Sequence, residues 1–241
     1  MTAQTLESGA SYRTRLADTL PRVRERMSRA ADLAGRSLDD IRLVAVSKGH
    51  PLTAVEAALE AGLTDLGENR VGELEDKAAA LGDRDVRWHM IGHLQRRKAP
   101  RLLGRTHLIH SMDSPRLAER LSRVAVEADE VVDVLAQVNT SGEDSKGGFD
   151  LENAVERVHE AAELPNLRVR GLMTMAPYVA EPEVLTRTFA GLRSVLERLQ
   201  DATDRVGHEL SMGMTNDLEV AIREGSTMVR IGTALFGERN A

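Results

Sequence analysis

The 241-residue sequence predicts one α/β domain, a closed (β/α)8 TIM barrel preceded by an extra helix. Two patterns and the chain length point to this fold. Short apolar runs rich in β-branched residues occur eight times, and segments with helical spacing of apolar residues separate them. Strands that alternate with helices form parallel βαβ units, and a length close to the roughly 250 residues of a typical barrel favours closure over an open sheet.

The elements follow in order from the N-terminus. Leu16, Leu20, Val23 and Met27 recur at helical spacing and predict an amphipathic helix over 12–33. The strands are predicted at residues 41–46, 64–66, 86–91, 107–110, 131–138, 167–172, 209–212 and 228–231. The helices between them are predicted at residues 53–61, 71–81, 94–103, 115–128, 151–162, 184–201 and 216–224.

Sequence signals mark the ends of several helices and the limits of the domain. Ser114 is an N-cap residue followed by a proline at the first helical position. The other signals are Asp150 before the 151–162 helix, Thr215 or Asn216 at the start of the 216–224 helix, and Gly225 at its end. No glycine- or proline-rich linker divides the chain, so we expect a flexible tail at 1–10 and one barrel domain at 11–241.

The composition excludes several classes of function. Cysteine is absent, which excludes disulfides, thiolate metal sites and cysteine nucleophiles and fits a reducing compartment. A net charge of −6 and 2% aromatic residues argue against a nucleic-acid partner. Apolar runs stay far below the roughly 20 residues that cross a bilayer, and the polar N-terminus lacks a signal pattern. We therefore expect a cytoplasmic protein with no membrane partner.

A lysine stands where (β/α)8 barrels place their chemistry, at the C-terminal end of a strand. Lys48 follows the first predicted strand and precedes Gly49. A partly desolvated amine at that position can attack an aldehyde or ketone and form an imine. The alternative is a lysine that extends to solvent from the strand end, and its position alone favours this second interpretation.

The ends of the last two strands indicate a phosphate site. Phosphate groups in these barrels bind after strands seven and eight, on backbone N–H groups and a helix N-terminus. Ser211 and Gly213 follow one strand here, and Gly232 and Thr233 follow the other. Glycine lets the backbone approach an anion, and threonine supplies a hydroxyl donor. The alternative is that these residues are ordinary turn residues.

Arg230 precedes Gly232 by two residues, so both face the same side of the strand. An arginine inside a barrel is costly unless it pairs or binds something. Facing a pyridine nitrogen, it would leave that nitrogen unprotonated, because arginine does not release its proton, and such a ring is a poor electron sink. The alternative is an ion pair with a barrel carboxylate such as Glu68 or Glu219.

These residues together resemble the pyridoxal-phosphate homeostasis proteins, over nearly the whole chain from Ile41 onward. The matching stretches are 43–48 (LVAVSK), 67–71 (GENRV), 88–95 (WHMIGHLQ), 109–114 (IHSMDS), 145–149 (SKGGF), 171–173 (GLM), 210–214 (LSMGM) leading to Asp217, and 229–237 (VRIGTALFG). Two positions depart from the pattern. Arg97 stands where asparagine is frequent, and Leu66 stands where phenylalanine is common.

The resemblance implies a barrel of pyridoxal-phosphate fold type III, like the N-terminal domain of alanine racemase. It implies pyridoxal 5'-phosphate held as a Schiff base on Lys48. The other residues that it implies at the cofactor are Ser211, Gly232 and Thr233 on the phosphate, Arg230 at the pyridine nitrogen, and Asn69 and Met212 nearby. It also implies a vitamin B6 carrier that buffers and delivers the cofactor and balances amino- and keto-acid pools, with no catalytic reaction.

The alternative function is a weak amino-acid racemase of the alanine racemase type. Racemisation needs a second base, usually a tyrosine, and the loss of one acid–base partner costs about 100- to 10,000-fold in rate. The only tyrosines are Tyr12, in the leading helix, and Tyr178, which we interpret as an aromatic residue on the rim. The carrier interpretation is therefore preferred, with pyridoxal-phosphate-dependent apoenzymes as partners.

The remaining candidate residues carry weaker signals. His89 and His93 are four residues apart, but Gly92 and the strand prediction argue against a helical metal pair, so no metal site is expected. Lys146 is interpreted as a loop charge, with a role in cofactor release as the alternative. A monomer is expected, since the chain carries no second, dimer-completing domain after the barrel.

Overall fold

The computed structural model describes residues 9–143, 147–177 and 181–238, and its centre is a closed parallel barrel. Eight strands pair side by side around the barrel, and β9 pairs with β1 to close it, as predicted. A two-residue strand, β6, adds to the end of β5. The strands are β1 Arg42–Val46, β2 Asp65–Glu68, β3 Arg87–Met90, β4 Leu108–Met112, β5 Val132–Asn139, β6 Phe149–Asp150, β7 Leu167–Met173, β8 Val206–Ser211 and β9 Met228–Ile231.

Helices surround the barrel and connect its strands. The α-helices are α1 Gly9–Leu33, α2 Leu52–Glu60, α3 Val71–Leu81, α4 Pro115–Glu127, α5 Ala154–Ala162, α6 Pro182–Ala202, α7 Leu218–Arg223 and α8 Thr233–Phe236. The 3-10 helices are Leu38–Asp40 and Arg96–Leu102. The α-helix predicted at 94–103 is thus wrong in type, because Pro100 lies inside it and lacks the N–H that an α-helical turn needs. The helix α8 is too short for periodicity to predict.

Helix ends follow the predicted signals in part. Ser114 is the N-cap of α4 with proline at the first position, and Gly225 follows α7 with a φ of 100°, both as predicted. The N-cap of α5 is Asn153 instead of Asp150, because Asp150 pairs with β5 as part of β6. The N-cap of α7 is Asp217, whose carboxylate accepts the Met214 N–H and extends the preceding loop.

The barrel strands separate an inner core from an outer one. Val44, Leu108, Leu135, Met173 and Met228 form a cluster inside the barrel. Alternate residues such as Ala45 and Leu210 belong to the larger cluster between the barrel and the helices. This alternation decides which residue at each strand end faces the mouth.

Helix α1 covers the outside of the barrel where the chain closes. It packs on α2, α7 and α8. Tyr12, Leu16, Leu20 and Val23 form its buried face. Within the described residues, no helix combines the length and apolar character that a membrane crossing requires.

Candidate functional site

The carboxyl ends of the strands form the mouth of the barrel, and β1 leads to Lys48. Val44 and Val46 face the interior, since a Cβ atom added to Gly67 of β2 would lie 3.2 and 3.4 Å from their side chains. Lys48 lies two residues beyond the last residue of β1 and is half-buried. Gly49 then has a φ of 73°, which lets the chain turn away toward α2. The main chain at Lys48 is therefore at the carboxyl end of β1, where the reactive amine is predicted.

A buried ion pair between β2 and α3 holds the backbone around Lys48. Lys77 Nζ donates to Glu68 Oε1 at 2.6 Å, to Glu73 Oε1 at 2.8 Å and to the Ser47 carbonyl oxygen at 2.9 Å. The Ser47 hydroxyl donates to Glu68 at 2.6 Å. Glu73 also accepts, at 2.6 Å, from the backbone N–H of the residue that follows Lys48. The main chain on both sides of Lys48 is thus bound to α3.

Removing Lys77 should destabilise the protein through Glu68. Burial raises the pKa of Glu68, and its Oε2 atom has no hydrogen-bond partner in the described part of the chain. We expect Lys77→Met to lower the free energy of unfolding by about 3–5 kcal/mol, because breaking a buried pair leaves its partner uncompensated. Adding Glu68→Gln should recover most of that loss, as measured by urea unfolding at neutral pH. A double variant no more stable than Lys77→Met would contradict this.

The loops after β8 and β9 meet beside β1 and form a cradle of donors. Gly213 has a φ of 96°, and a Cβ atom there would lie 2.6 Å from a side chain of α7. Gly232 lies against the end of β1, where an added Cβ atom would be 3.2 Å from a main-chain oxygen. The N–H of Ala234 points at Thr215 Oγ1 at 3.4 Å, and Thr233 is exposed at the start of α8. The cradle suits an anion and adjoins the strand that leads to Lys48.

A buried guanidinium lies at the floor of the mouth. Arg230 is 5% exposed, and its pKa is lowered to about 10 by burial, so it remains a cation at neutral pH. It donates through one terminal nitrogen to Ser211 Oγ at 2.6 Å and through the other to the Thr174 carbonyl oxygen at 2.9 Å. Its remaining N–H groups make no hydrogen bond to the described residues, so they are available to a ligand.

The two carboxylates that were considered as ion-pair partners of Arg230 each pair with another residue. Glu68 faces α3 and pairs with Lys77. Glu219 pairs with Arg26 of α1 at 2.6 Å. Neither Glu68 nor Glu219 pairs with Arg230, and the carboxylate whose charge favours the Arg230 cation is Asp217.

A chain of side-chain hydrogen bonds runs from Arg230 through the barrel interior, and we call it the interior relay. Ser211 Oγ lies 2.9 Å from His110 Nδ1, and His110 Nε2 lies 2.8 Å from His89 Nδ1. His89 Nε2 lies 2.9 Å from Asp65 Oδ1. All of these side chains are buried. The relay connects β8, β4, β3 and β2 and ends at the first residue of β2, at the opposite end of the barrel from the mouth.

The two relay histidines should make stability depend on pH. Burial lowers the pKa of both His89 and His110 from the ordinary value of 6.5, so both are neutral in the folded protein. Their stabilising contribution is present above that value and is lost as the pH falls below it, because the unfolded chain then binds protons that the folded protein does not. Each histidine adds a slope of at most about 1.4 kcal/mol per pH unit. Urea unfolding of the wild type and of His110→Gln should show a shallower slope in the variant; equal slopes would contradict this.

Three further residues of the predicted site take different positions. The Ser211 hydroxyl contacts Arg230 and His110, which favours a place beneath the guanidinium over the predicted phosphate contact. Met212 is fully buried in the outer core, so its side chain does not face the mouth. Asn69 is half-buried after β2 and lines a separate groove of about 790 Å³ on the rim.

The remaining candidates from the sequence are the two tyrosines, Lys146 and His93. Tyr12 is buried in α1, where its hydroxyl lies 3.1 Å from His50 Nδ1, whereas Lys146 and Tyr178 lie outside the described residues. His93, which the sequence analysis weighed with His89 as a metal pair, is exposed and hydrogen-bonded to an aspartate. In the ranges that the structure describes, no group of three or more ligating side chains could hold a metal. No site role was predicted for His110, Glu73 or Lys77, nor for Thr215 beyond a possible helix start. Among them only His110 carries a sequence signal, its inward register on β4.

Comparisons with known proteins match this architecture. Residues 19–240 match the family described as alanine racemase, N-terminal domain. A pyridoxal phosphate homeostasis protein of Aquifex aeolicus is 44% identical over 222 residues, covering 92% of this chain and 97% of that protein. The structure of PipY of Synechococcus elongatus with pyridoxal phosphate (PLP) bound has a TM-score of 0.78 and 36% identity, covering 88% of this chain and all (100%) of that one. An alanine racemase of Clostridium difficile, at 15% identity and a TM-score of 0.76 over 95% of this chain and 58% of its own, shares the fold.

Proposed function

This chain belongs to the alanine racemase N-terminal domain family, among the pyridoxal phosphate homeostasis proteins, and on that basis we propose that it binds, buffers and delivers pyridoxal 5'-phosphate. The role is that of a carrier. The cofactor supplies an aldehyde for covalent capture and a phosphate for anchoring. The chain supplies the groups that hold both.

Lys48 and the cradle have the chemistry that these two ends require. The Lys48 amine attacks the aldehyde carbon, and water leaves as the imine bond forms. The cradle offers backbone N–H groups near Gly213 and Gly232, where a side chain would collide with its surroundings. Thr215 and Thr233 add hydroxyl donors. Because β9 pairs with β1, the cradle and Lys48 are neighbours on the rim.

The observation that carries the proposal is the buried, cationic Arg230. Its two hydrogen-bond partners are neutral, Asp217 is the carboxylate whose charge favours the cation, and N–H groups of the guanidinium are left for a ligand. An arginine keeps its proton, so a ring nitrogen that accepts from it stays unprotonated and the ring is a poor electron sink. This arrangement favours storage of the cofactor over catalysis with it.

A transfer experiment tests the carrier role. The purified protein, loaded with pyridoxal phosphate and separated from free cofactor, is mixed with a pyridoxal-phosphate-dependent apoenzyme. We expect the apoenzyme to regain activity while the loaded protein loses its visible absorbance. A protein that retains no cofactor after purification and reconstitution would overturn the proposal.

The racemase alternative is tested separately with single-enantiomer amino acids. Tyr12 is 2% exposed and bonded to His50, so it supports no second base at the mouth. We expect optical purity to be preserved over many hours. Rapid loss of optical purity in the wild type, absent in Lys48→Ala, would favour the enzyme over the carrier.

We place the carrier in the cytoplasm as a monomer. The absence of cysteine supports a reducing compartment. The barrel closes on itself through the pairing of β9 with β1. Sedimentation of the loaded protein should give one species near 26.4 kDa; a stable dimer would contradict the monomer.

A further inference from the structure

The interior relay has a fixed direction of hydrogen-bond donation, which follows from its two ends. A guanidinium only donates, so Ser211 Oγ accepts from Arg230. The Ser211 hydrogen is then directed to His110 Nδ1, which must be unprotonated. A neutral His110 carries its proton on Nε2 and donates to His89 Nδ1, and His89 donates from Nε2 to Asp65. Each donor points from the mouth toward the far end.

Several hydrogen bonds hold Asp65 at the far end of the relay, as hydrogen bonds hold Arg230 at the near end. Asp65 accepts two hydrogen bonds from Arg87, at 2.9 and 2.6 Å, in addition to the one from His89. These donors hold the pKa of Asp65 well below its usual range despite its burial. The relay therefore connects a permanent cation at the mouth to a permanent anion at the other end, and the groups between them are neutral.

The opposite direction of donation, in which His110 donates from Nδ1 to Ser211, is unfavourable. A protonated His110 would donate from Nδ1 to Ser211, which already accepts from Arg230, and the serine hydrogen would lose its acceptor. Its charge would also face Arg230, Arg42, His89 and, at longer range, His107, all of which disfavour a cation there. One pattern of donors thus satisfies every buried group of the relay.

We infer that the interior relay orients Arg230 toward the cofactor, and that Ser211, His110 and His89 are positioning residues for this guanidinium. With Ser211 and Thr174 each accepting from one terminal nitrogen, the plane of the guanidinium is fixed at two points. Its free N–H groups then face the mouth in one orientation. This assigns a function to two buried histidines that the carrier chemistry does not otherwise use.

The consequence for cofactor binding rests on the proposed function, whereas the relay itself is a property of the chain without cofactor. Nitrogen-15 NMR of the cofactor-free protein with labelled histidine therefore tests the relay independently. We expect His89 and His110 to be neutral and protonated on Nε2, and Ser211→Ala to shift the His110 Nδ1 signal. A His110 protonated on Nδ1 would overturn the inference even if the protein carries the cofactor.

Variants test the positioning role in the reconstituted protein. His110→Leu removes both hydrogen bonds, whereas His110→Gln can still accept from Ser211 and donate to His89. We expect His110→Leu and Ser211→Ala to release pyridoxal phosphate roughly tenfold faster and to shift its absorbance maximum. His110→Gln should restore both properties toward wild type. His107→Leu is the matched control, since the His107 ring contacts His89 at 5.5 Å between centroids without joining the relay.

Two outcomes contradict the positioning role. A folded His110→Leu with wild-type release and absorbance would show that Arg230 needs no relay, and Ser211→Ala provides the same comparison if His110→Leu fails to fold. Equal effects of His107→Leu and His110→Leu would show a packing effect. If the wild type itself retains no cofactor, the proposed function fails and the NMR result still stands for the relay.

Discussion

Lys48→Ala should abolish the visible, borohydride-sensitive absorbance of the protein reconstituted with pyridoxal phosphate. The amine is the only group at the mouth proposed to form a covalent bond with the cofactor, so its removal leaves phosphate and ring contacts alone. Retention after gel filtration should fall from nearly complete to a small residual fraction. The measurement is the absorbance spectrum before and after borohydride, normalised to protein.

A matched lysine controls for nonspecific imine formation. Lys98 is also half-buried and lines the rim groove outside the barrel. We expect Lys98→Ala to keep the absorbance and its sensitivity to borohydride. If Lys48→Ala retains the same band and Lys98→Ala loses it, the reactive amine has been placed at the wrong strand end.

Arg230→Ala should keep the covalent link and weaken retention of the cofactor. Loss of a hydrogen bond from a charged donor costs about 1.5–3 kcal/mol, which corresponds to roughly a 10- to 100-fold increase in Kd. The link persists because Lys48 follows a different strand, β1, and the main chain on both sides of it is held by α3. The Kd of the cofactor-free protein for pyridoxal phosphate, measured by absorbance titration, checks the size of the effect.

Arg29→Ala is the control for this variant, because it removes an arginine that pairs with Glu25 on the exposed surface of α1. Its Kd should equal that of the wild type. If Arg230→Ala binds the cofactor as tightly as the wild type does, the Arg230 guanidinium stabilises the barrel and does not hold the cofactor.

The fold could be predicted because each unit of the barrel repeats the same pattern. A buried parallel strand is a short β-branched run, and a covering helix shows apolar residues at helical spacing, so their alternation carries the architecture. The elements that were wrongly predicted or missed are short or irregular. The 3-10 helix Arg96–Leu102 contains a proline, and α8 has 4 residues.

Residues of the candidate site could be predicted from the sequence when their role depends only on their position along a single strand. Lys48, Arg230 and Gly232 follow from the rule that polar residues at strand ends meet at the mouth. Met212, which follows β8, has its side chain in the outer core, and its place near the cofactor stays a prediction from the family resemblance.

The relay could not be predicted, because it joins strands that are distant in sequence. His110 and Ser211 are separated by 101 residues, and their contact depends on the closure of the barrel. The sequence shows that both face inward but not at which depth each lies. The same holds for the network of Lys77 and Glu73, whose contact with the main chain around Lys48 depends on how α3 packs.

Mapping the trapped adduct tests the central claim, that one amine at the mouth captures the cofactor, most directly. The reconstituted protein is reduced with borohydride, digested and analysed by mass spectrometry for a pyridoxyl group on each of its lysines, Lys48, Lys77, Lys98 and Lys146. We predict stoichiometric modification of Lys48 and only traces elsewhere. Modification spread over several lysines, or concentrated on one other than Lys48, would contradict the proposed binding site.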